Sequence, residues 1–228
     1  MRLLHTRTLE MHEFHGSNMP PHAILSHRWS SEEIQFEDRA LLRQKVRTQT
    51  KAKILDFCKK AAERNLDYAW VDTCCIAKSS SAELTESINS MFDWYRDAKV
   101  CFVYLADVAL PLLSKRGKRD KQDLPLSLGA YLSRSDWFKR GWTLQELVAP
   151  RELEFYSFDW QLLGTKFELK DTLSSITGID EDILLGADIA RASVAKRMFW
   201  ASHRVTTRLE DIAYSLLGIW CQYAAFVW

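Results

Sequence analysis

The sequence predicts an α/β fold, with a mostly parallel, flavodoxin-like sheet flanked by helices and additional helices at the C-terminal end. Apolar runs at 22–26, 67–72 and 99–105 have the continuous apolar character of strands that are buried on both faces. Two segments with helical periodicity, 48–65 and 80–95, separate these runs. Strands that alternate with helices usually pair in parallel, with the helices on the two faces of the sheet.

Local signals place the individual elements. The helix after Ser80 opens with a capping box, because Glu83 follows three residues later. The remaining predicted elements are a strand at 152–157, a helix at 168–177 that stops at Gly178, a helix at 193–203, and a last helix that starts at a capping box of Thr207 and Glu210. We find no internal repeat, and residues 1–228 are interpreted as a single domain.

Composition and charge exclude several classes of protein. The chain is 47% hydrophobic and 27% charged, which is ordinary for a globular domain, and its net charge is +1. No bulk attraction to nucleic acid or to an anionic membrane follows from such a charge. The cation-rich segment 114–123 is interpreted as a solvated loop, because it lacks the aromatic side chains that stack on bases. We therefore expect no nucleic-acid partner.

The cysteines and the chain ends favour a cytoplasmic protein. Five cysteines are an odd number without disulfide-scaffold spacing, and the absence of a CxxC pair argues against a metal site. The N-terminus has charges throughout and no apolar core of a signal peptide. The longest uncharged stretch, 214–228, is too short for a membrane span.

Glu146 is the first candidate for chemistry. It lies in the stretch SDWFKRGWTLQEL, 135–147, which combines unusual aromatic weight with one carboxylate. On a helix, Lys139, Trp142 and Glu146 would share one stripe, while Leu144 would face the core. A carboxylate beside an indole is partly desolvated, which is how proteins tune acids and nucleophiles. The alternative is a surface glutamate paired with a neighbouring cation, Lys139 or Arg140.

A second candidate follows the first predicted strand. Ser26, His27 and Arg28 have donors suited to phosphate, and Trp29 has a ring suited to stacking. The carboxyl ends of strands are where open α/β sheets place their ligands. The alternative is an ordinary polar turn with a packed tryptophan.

The segment VDTCC, 71–75, is the third candidate. Asp72 is suited to binding a hydroxyl or to capping the next helix, with capping the expected role. Cys74 or Cys75 together with His27 or His203 has the residue types of a cysteine hydrolase but no local signature of one. No phosphate-binding glycine motif or nucleophile elbow is present.

Four motifs in order resemble the fungal heterokaryon incompatibility (HET) domain. They are HAILSHRW at 22–29, the segment 68–108 that begins YAWVDTCC, SDWFKRGWTLQELVAP at 135–150, and VAKRMFWASHRVTTRLEDIAYSLLGI at 194–219. The resemblance covers nearly the whole chain. It implies a role in non-self recognition, in which fusion of incompatible cells triggers programmed cell death.

The HET domain in turn resembles a divergent TIR domain, the domain of many innate-immunity proteins. Under that resemblance, Glu146 matches the glutamate that serves NAD cleavage in enzymatic members, and Trp142 matches the preceding tryptophan. It implies NAD as a substrate rather than a prosthetic group, with Ser26, His27, Arg28, Trp29, Asp72 and Trp142 as its binding residues. Trp29 or Trp142 would stack on a ring, and Arg28 would meet the pyrophosphate.

Two positions depart from the family pattern. Ala77 stands where the family usually has aspartate, and after 214–219 the chain continues as WCQYAAFVW, 220–228, instead of an acidic, glycine-rich segment. We expect a truncated C-terminal end. Three functional classes remain open: an NAD-consuming effector of cell death, a non-enzymatic signalling module that self-associates, and a cysteine-dependent hydrolase.

Overall fold

A seven-stranded sheet forms the centre of the molecule in a computed structural model that describes residues 1–44, 48–109 and 127–220. The strands are β1 (Arg2–His5), β2 (Met11–Glu13), β3 (His22–His27), β4 (Tyr68–Trp70), β5 (Val100–Tyr104), β6 (Leu153–Tyr156) and β7 (Leu162–Thr165). Their order in the sheet is β2-β1-β4-β3-β5-β6-β7. The cation-rich segment at 114–123 and the chain end after Trp220 lie outside the described residues.

The four strands predicted from the sequence form the parallel centre of the sheet. β3 pairs in parallel with β4 and β5, and β5 pairs in parallel with β6. The other three strands are antiparallel additions at the two edges: β1 pairs with β4 and β2, and β7 pairs with β6. The α/β prediction is therefore confirmed, and the edges make the sheet mixed rather than purely parallel.

Ten α-helices surround the sheet in the described part of the chain. They are α1 (Gln49–Glu63), α2 (Asp72–Cys75), α3 (Ser81–Asp97), α4 (Leu128–Arg134), α5 (Thr143–Val148), α6 (Lys170–Thr177), α7 (Glu181–Leu184), α8 (Val194–Ser202), α9 (Asp211–Tyr214) and α10 (Leu217–Trp220). The predicted caps hold at α3, where the Ser80 hydroxyl accepts from the Glu83 amide, and at α6, where Gly178 adopts φ 72°.

Helices cover both faces of the sheet. Phe57 of α1 packs edge-on against Phe102 of β5, whereas Trp70 of β4 contacts aromatic rings of α3. Phe102 is in register with Leu25 of β3, and Trp70 is in register with Ile24. Successive residues of a strand point to opposite faces, so α1 and α3 lie on opposite sides.

Strand order places the site at the carboxyl end of β3. The chain passes from β3 to β4 on one side and then crosses to β5 on the other side. Open α/β sheets bind ligands outside the carboxyl ends of the strands, where the order reverses in this way. The loops after β3 and β4 are therefore the expected location of a ligand.

Two predicted helical features differ in the structure. Residues 135–147 do not form one helix but a 3₁₀ helix at Asp136–Lys139 followed by α5. The Thr143 hydroxyl shares its one proton between the carbonyls of Trp137 (2.6 Å) and Arg140 (2.9 Å), which are acceptors that a continuous helix would use. Lys139 consequently lies outside the helix that carries Glu146.

The predicted capping box of Thr207 and Glu210 is also wrong. Helix α9 begins only at Asp211, with Glu210 as its N-cap and no side-chain cap. The Thr206 hydroxyl donates to the carbonyl of Arg208 at 2.7 Å, so the residues before α9 form a turn.

None of the helices in the described ranges has both the length and the apolar character needed to cross a bilayer.

Candidate active site

A cavity of about 340 Å³ opens at the carboxyl ends of β3 and β4. Its walls are formed by His27, Trp29, Asp72, Ile76, Lys78, Leu84, Ile88, Met91, Arg140, Trp142, Glu146, Thr207, Arg208 and Asp211. Five of the seven residues predicted for the site line it.

A depression of about 380 Å³ beside the β1–β2 hairpin is lined by Leu4, Leu9, Glu10, Met11, His12, Arg39 and Arg43, and it contains no buried acid.

Glu146 lies at the floor of the cavity. It belongs to α5 and is only 7% exposed, and its Oε2 accepts a hydrogen bond of 2.5 Å from the hydroxyl of Ser26. The alternative of a surface glutamate paired with Lys139 or Arg140 is therefore wrong. Lys139 pairs with Asp136 instead, and Arg140 forms no ion pair with any described residue.

Burial changes the acidity of Glu146. Desolvation raises the pKa of its carboxyl group to about 8, and the nearby charge of Asp72 acts in the same direction. The hydrogen bond from Ser26, the charge of Arg140 and the hydroxyl of Tyr95 oppose this rise. Glu146 is therefore poised to change protonation state near neutral pH, as residues at catalytic sites often do.

Ser26 orients Glu146 from beneath the cavity. Its hydroxyl accepts a 2.8 Å hydrogen bond from Nε1 of Trp137, so its own proton is free to point at Glu146. Ser26 is completely buried, which removes it from contact with a ligand. The sequence prediction that Ser26 binds phosphate is not supported by this position, whereas a role beside Glu146 is.

Strand alternation separates Ser26 from His27. Ser26 faces α5, while the adjacent His27 is buried on the side of α1, near Lys53. Its ring nitrogens lie 3.7 Å from Glu33 Oε2 and 3.9 Å from Asp72 Oδ1. Desolvation and the charge of Lys53 lower the pKa of His27, so the imidazole is neutral at physiological pH.

Asp72 holds the tryptophan that forms one wall. The predicted capping role is wrong, since Asp72 is the first residue of α2 and its carboxylate accepts a 2.6 Å hydrogen bond from the indole of Trp29. Trp29 is 42% exposed and its ring contacts two cations, with Lys78 Nζ 3.8 Å and Arg140 Cζ 5.5 Å from its centroid.

Arg28 lies away from the cavity. Its guanidinium pairs with Asp136, and its side chain lines separate surface depressions that also include Tyr104 and Ala106. The prediction that Arg28 contributes to the same site as Glu146 is therefore not supported. After β3 ends at His27, Arg28 pairs with Asp136 whereas Trp29 hydrogen-bonds to Asp72 at the cavity, so the two side chains lie in different places.

Arg140 and Arg208 also line the cavity, and neither was predicted as a site residue from the sequence. Arg140 follows the 3₁₀ helix, and Arg208 arrives on the segment 204–208, which we call the rim segment. The rim segment is fastened to residues 139–141 by two backbone hydrogen bonds, Val205 N to Lys139 O (2.7 Å) and Gly141 N to Val205 O (2.9 Å). No periodicity in the sequence indicates this contact between distant segments.

Gly141 and Arg204 fix the rim segment. A Cβ atom at Gly141 would lie 2.5 Å from Cγ2 of Thr206, so only glycine permits the close approach. The Arg204 guanidinium donates to the Arg140 carbonyl at 2.9 Å and to the Thr143 hydroxyl at 2.8 Å. Desolvation lowers the pKa of Arg204 to about 10, which still leaves it charged.

Cys74 and Cys75 do not form a nucleophilic site. Cys74 and Cys75 are buried, and hydrogen bonding to Cys75 together with burial raises the pKa of Cys74 well above its usual value. A reactive thiol needs the opposite shift, because the thiolate is the nucleophile. No histidine nitrogen within the described ranges hydrogen-bonds to a cysteine, and His203 lies exposed at the end of α8. The structure thus does not favour a cysteine-dependent hydrolase.

Comparisons with known proteins identify the family. The family model described as "Heterokaryon incompatibility protein (HET)" matches residues 22–125. The chain is similar to "Vegetative incompatibility protein HET-E-1" of Podospora anserina, with 43% identity over 205 residues that cover 90% of this chain. The chain spans about 15% of the length of that relative. No solved structure matches at a significant level. On the strength of these two matches, the chain belongs to the heterokaryon incompatibility family.

Proposed function

We propose that the domain cleaves NAD at the bond between nicotinamide and ribose, as an effector of cell death in non-self recognition. The observation that carries this proposal is the position of Glu146, a buried acid at the floor of a cavity whose rim carries cations. That combination suits a ligand with a cationic ring at one end and phosphates further along.

The chemistry needs one carboxylate. As the glycosidic C–N bond breaks, its electron pair passes to the ring nitrogen, nicotinamide leaves as a neutral molecule, and positive charge develops on the ribose. A carboxylate beside C1′ stabilises that oxocarbenium-like transition state, as it does in glycoside hydrolysis. Water adds to C1′ and loses a proton to solvent, which yields ADP-ribose. No second acid is needed, because the leaving group is already cationic.

The raised pKa of Glu146 is compatible with this role. In the free protein, the carboxyl group is mostly protonated at neutral pH, because its pKa is about 8. A bound nicotinamide ring brings a positive charge next to Glu146 and favours the carboxylate. Binding of this substrate therefore generates the catalytic form, whereas a neutral ligand does not.

The remaining walls suit an aromatic ring. Ile76, Leu84, Ile88 and Met91 form an apolar side, and Trp142 precedes Glu146 by one helical turn. Apolar surface with a few polar groups is typical of sites for small molecules and cofactors. We assign the nicotinamide ring to this deep, apolar part of the cavity.

The biological role rests on the comparisons. The relative from Podospora anserina is named a vegetative incompatibility protein, and this chain corresponds to about 15% of its length. We propose that the domain supplies the toxic activity in such a system and that other parts of such proteins supply recognition. Depletion of NAD would account for the death of incompatible cells.

The test is nicotinamide release by the purified protein incubated with NAD at high protein concentration. We expect release from the parent protein and a loss of ~10²-fold or more in Glu146→Gln, which keeps the shape of the side chain but removes its charge. Glu152→Gln is the matched control, because Glu152 is exposed and lies outside the cavity. Equal rates in the parent and in Glu146→Gln would refute the proposal.

A second candidate is a non-enzymatic module that self-associates. Large apolar side chains are exposed on the C-terminal helices, on the rim segment and on the turn that follows it, namely Val194, Met198, Phe199, Val205, Leu209, Ile212, Tyr214 and Trp220. Exposed apolar patches mark sites of protein association. If this candidate is correct, Leu209→Glu abolishes both cell killing and self-association in sedimentation experiments, while Glu146→Gln leaves both unchanged.

A further inference from the structure

The cations of the cavity are not equally engaged with other groups. Lys78 donates to Oε1 of Gln35 at 2.9 Å and stacks on Trp29. In contrast, the guanidinium groups of Arg140 and Arg208 make no hydrogen bond or ion pair with any residue that the structure describes. A third arginine, Arg28 just after the end of β3, forms an ion pair with Asp136 outside the cavity. Two arginines thus keep their donors available, and both line the same cavity.

The rim segment brings these two arginines to one side of the cavity. Its backbone hydrogen bonds with residues 139–141 fix the main chain at Arg140 next to Val205, three residues before Arg208. Arg204 stabilises the same contact, because its guanidinium donates to the carbonyl of Arg140. The two guanidinium groups are therefore held on neighbouring backbone segments, although they are far apart in the sequence.

Trp29 adds a flat surface to this side. Its ring lies 5.5 Å from Cζ of Arg140, and Asp72 holds its indole nitrogen. The carboxylate of Asp72 is thus occupied by the hydrogen bond from Trp29. The other carboxylate at the rim of the cavity is that of Asp211. Two planar, permanently charged groups beside an aromatic ring are suited to a diphosphate attached to a ring system.

We propose that Arg140 and Arg208 form a diphosphate subsite, so that the cavity takes a nucleotide that carries a pyrophosphate rather than an unphosphorylated nucleoside. Glu146 lies at the floor, and the arginines lie toward the mouth. A dinucleotide then enters with its cationic nicotinamide end first, and its phosphates stay at the rim. The identity of the nucleotide as NAD rests on the proposed function, whereas the anion subsite rests on the arginines alone.

Binding of ADP-ribose, measured by isothermal titration calorimetry, tests this subsite without any catalytic step. We expect the parent protein to bind ADP-ribose more tightly than adenosine. Arg140→Gln and Arg208→Gln should each weaken ADP-ribose binding by about tenfold or more, the effect of losing a charge-assisted hydrogen bond, and leave adenosine binding unchanged. Lys139→Gln is the matched control, because Lys139 is adjacent but pairs with Asp136 and does not line the cavity.

The possible outcomes separate this inference from the proposed function. If ADP-ribose binding depends on both arginines while NAD is not cleaved, the subsite stands and the catalytic proposal fails. If NAD is cleaved but ADP-ribose binds equally well to the parent and to both arginine variants, the subsite is wrong. No ADP-ribose binding by the parent, or an equal loss in Lys139→Gln, also overturns it. Circular dichroism of Arg140→Gln and Arg208→Gln identifies any loss of binding that is due to misfolding.

Discussion

At the scale of single residues, the site depends on one buried carboxyl group and the hydroxyl that orients it. Glu146 and Ser26 are 120 residues apart in the chain and meet at 2.5 Å because Ser26 points from β3 toward α5. Their environment, more than their identity, determines their chemistry, since burial raises the pKa of Glu146 to about 8. Two predictions follow from this environment.

The first prediction concerns stability. The pKa of Glu146 is about 8 in the folded protein and near 4.5 in the unfolded chain. Between pH 4.5 and 8, the folded protein therefore keeps a proton on Glu146 that the unfolded chain releases. The stability contributed by Glu146 is full below about pH 4.5 and is lost as pH rises through about 8. Relative to Glu146→Gln, the parent should lose up to about 1.4 kcal/mol of unfolding free energy per pH unit over that range. Urea titrations from pH 5 to 9 measure the difference, and parallel curves would contradict the raised pKa.

The second prediction concerns Ser26→Ala. The hydrogen bond from Ser26 lowers the pKa of Glu146, so its removal should raise that pKa further. If the carboxylate is the active form, kcat/KM for NAD rises with pH, with a midpoint near 8 in the free parent protein. The midpoint should move upward by about one unit in Ser26→Ala, consistent with the strength of a hydrogen bond to a charged group. Ser133→Ala, on the exposed surface of α4, should show the parent midpoint; an unchanged midpoint in Ser26→Ala would exclude the positioning role.

At the scale of elements, the decisive feature is the rim segment, which completes a site that begins on β3 and α5. We predict that Gly141→Ala displaces it, because the new Cβ would lie 2.5 Å from Cγ2 of Thr206. Nicotinamide release should fall, mainly through a higher KM for NAD. Gly129→Ala on α4 should have little effect on activity, since Gly129 does not line the cavity and the nearest contact of its added Cβ would be Cγ2 of Thr172, at 3.3 Å. Adding Thr206→Ser, which removes that methyl group, should restore part of the activity in Gly141→Ala, because Oγ of Ser215 still lies 3.1 Å from the new Cβ. No recovery at all would mean that Gly141 acts otherwise.

The elements also show what sequence patterns can and cannot predict. Buried strands and long, capped helices such as α1 and α3 carry their own signals, so the four central strands and their crossovers were predictable. The short edge strands β1, β2 and β7 carry mixed or polar residues and depend on a neighbouring strand for their hydrogen bonds. Glu146 was predictable because of the tryptophans and cations around it in 135–147. Arg140 and Arg208 were not, because only the fold brings the rim segment, which carries Arg208, next to Arg140.

At the scale of the whole molecule, the cavity is lined both by residues of the sheet region, such as His27, and by residues of the C-terminal helical region, such as Asp211. Helix α8 is held by Trp200, which is 3% exposed and donates to the Gly178 carbonyl at 3.0 Å, and the rim segment follows directly after α8. We predict that Trp200→Ala destabilises the protein by about 3–5 kcal/mol, as expected for loss of a buried aromatic ring. It should also reduce activity, through the rim segment. Denaturant unfolding and nicotinamide release measure the two effects, and full activity in a folded Trp200→Ala protein would show that the cavity does not need this layer.

The central claim is that NAD binds in this cavity with its scissile bond at Glu146. A crystal structure of Glu146→Gln with NAD tests it most directly, because an inactive variant keeps the substrate intact. We predict that the nicotinamide lies against Ile76, Leu84 and Met91, that the ribose C1′ faces the side chain at position 146, and that the phosphates lie at the rim. An empty cavity at saturating NAD, or NAD bound elsewhere on the molecule, would contradict the claim.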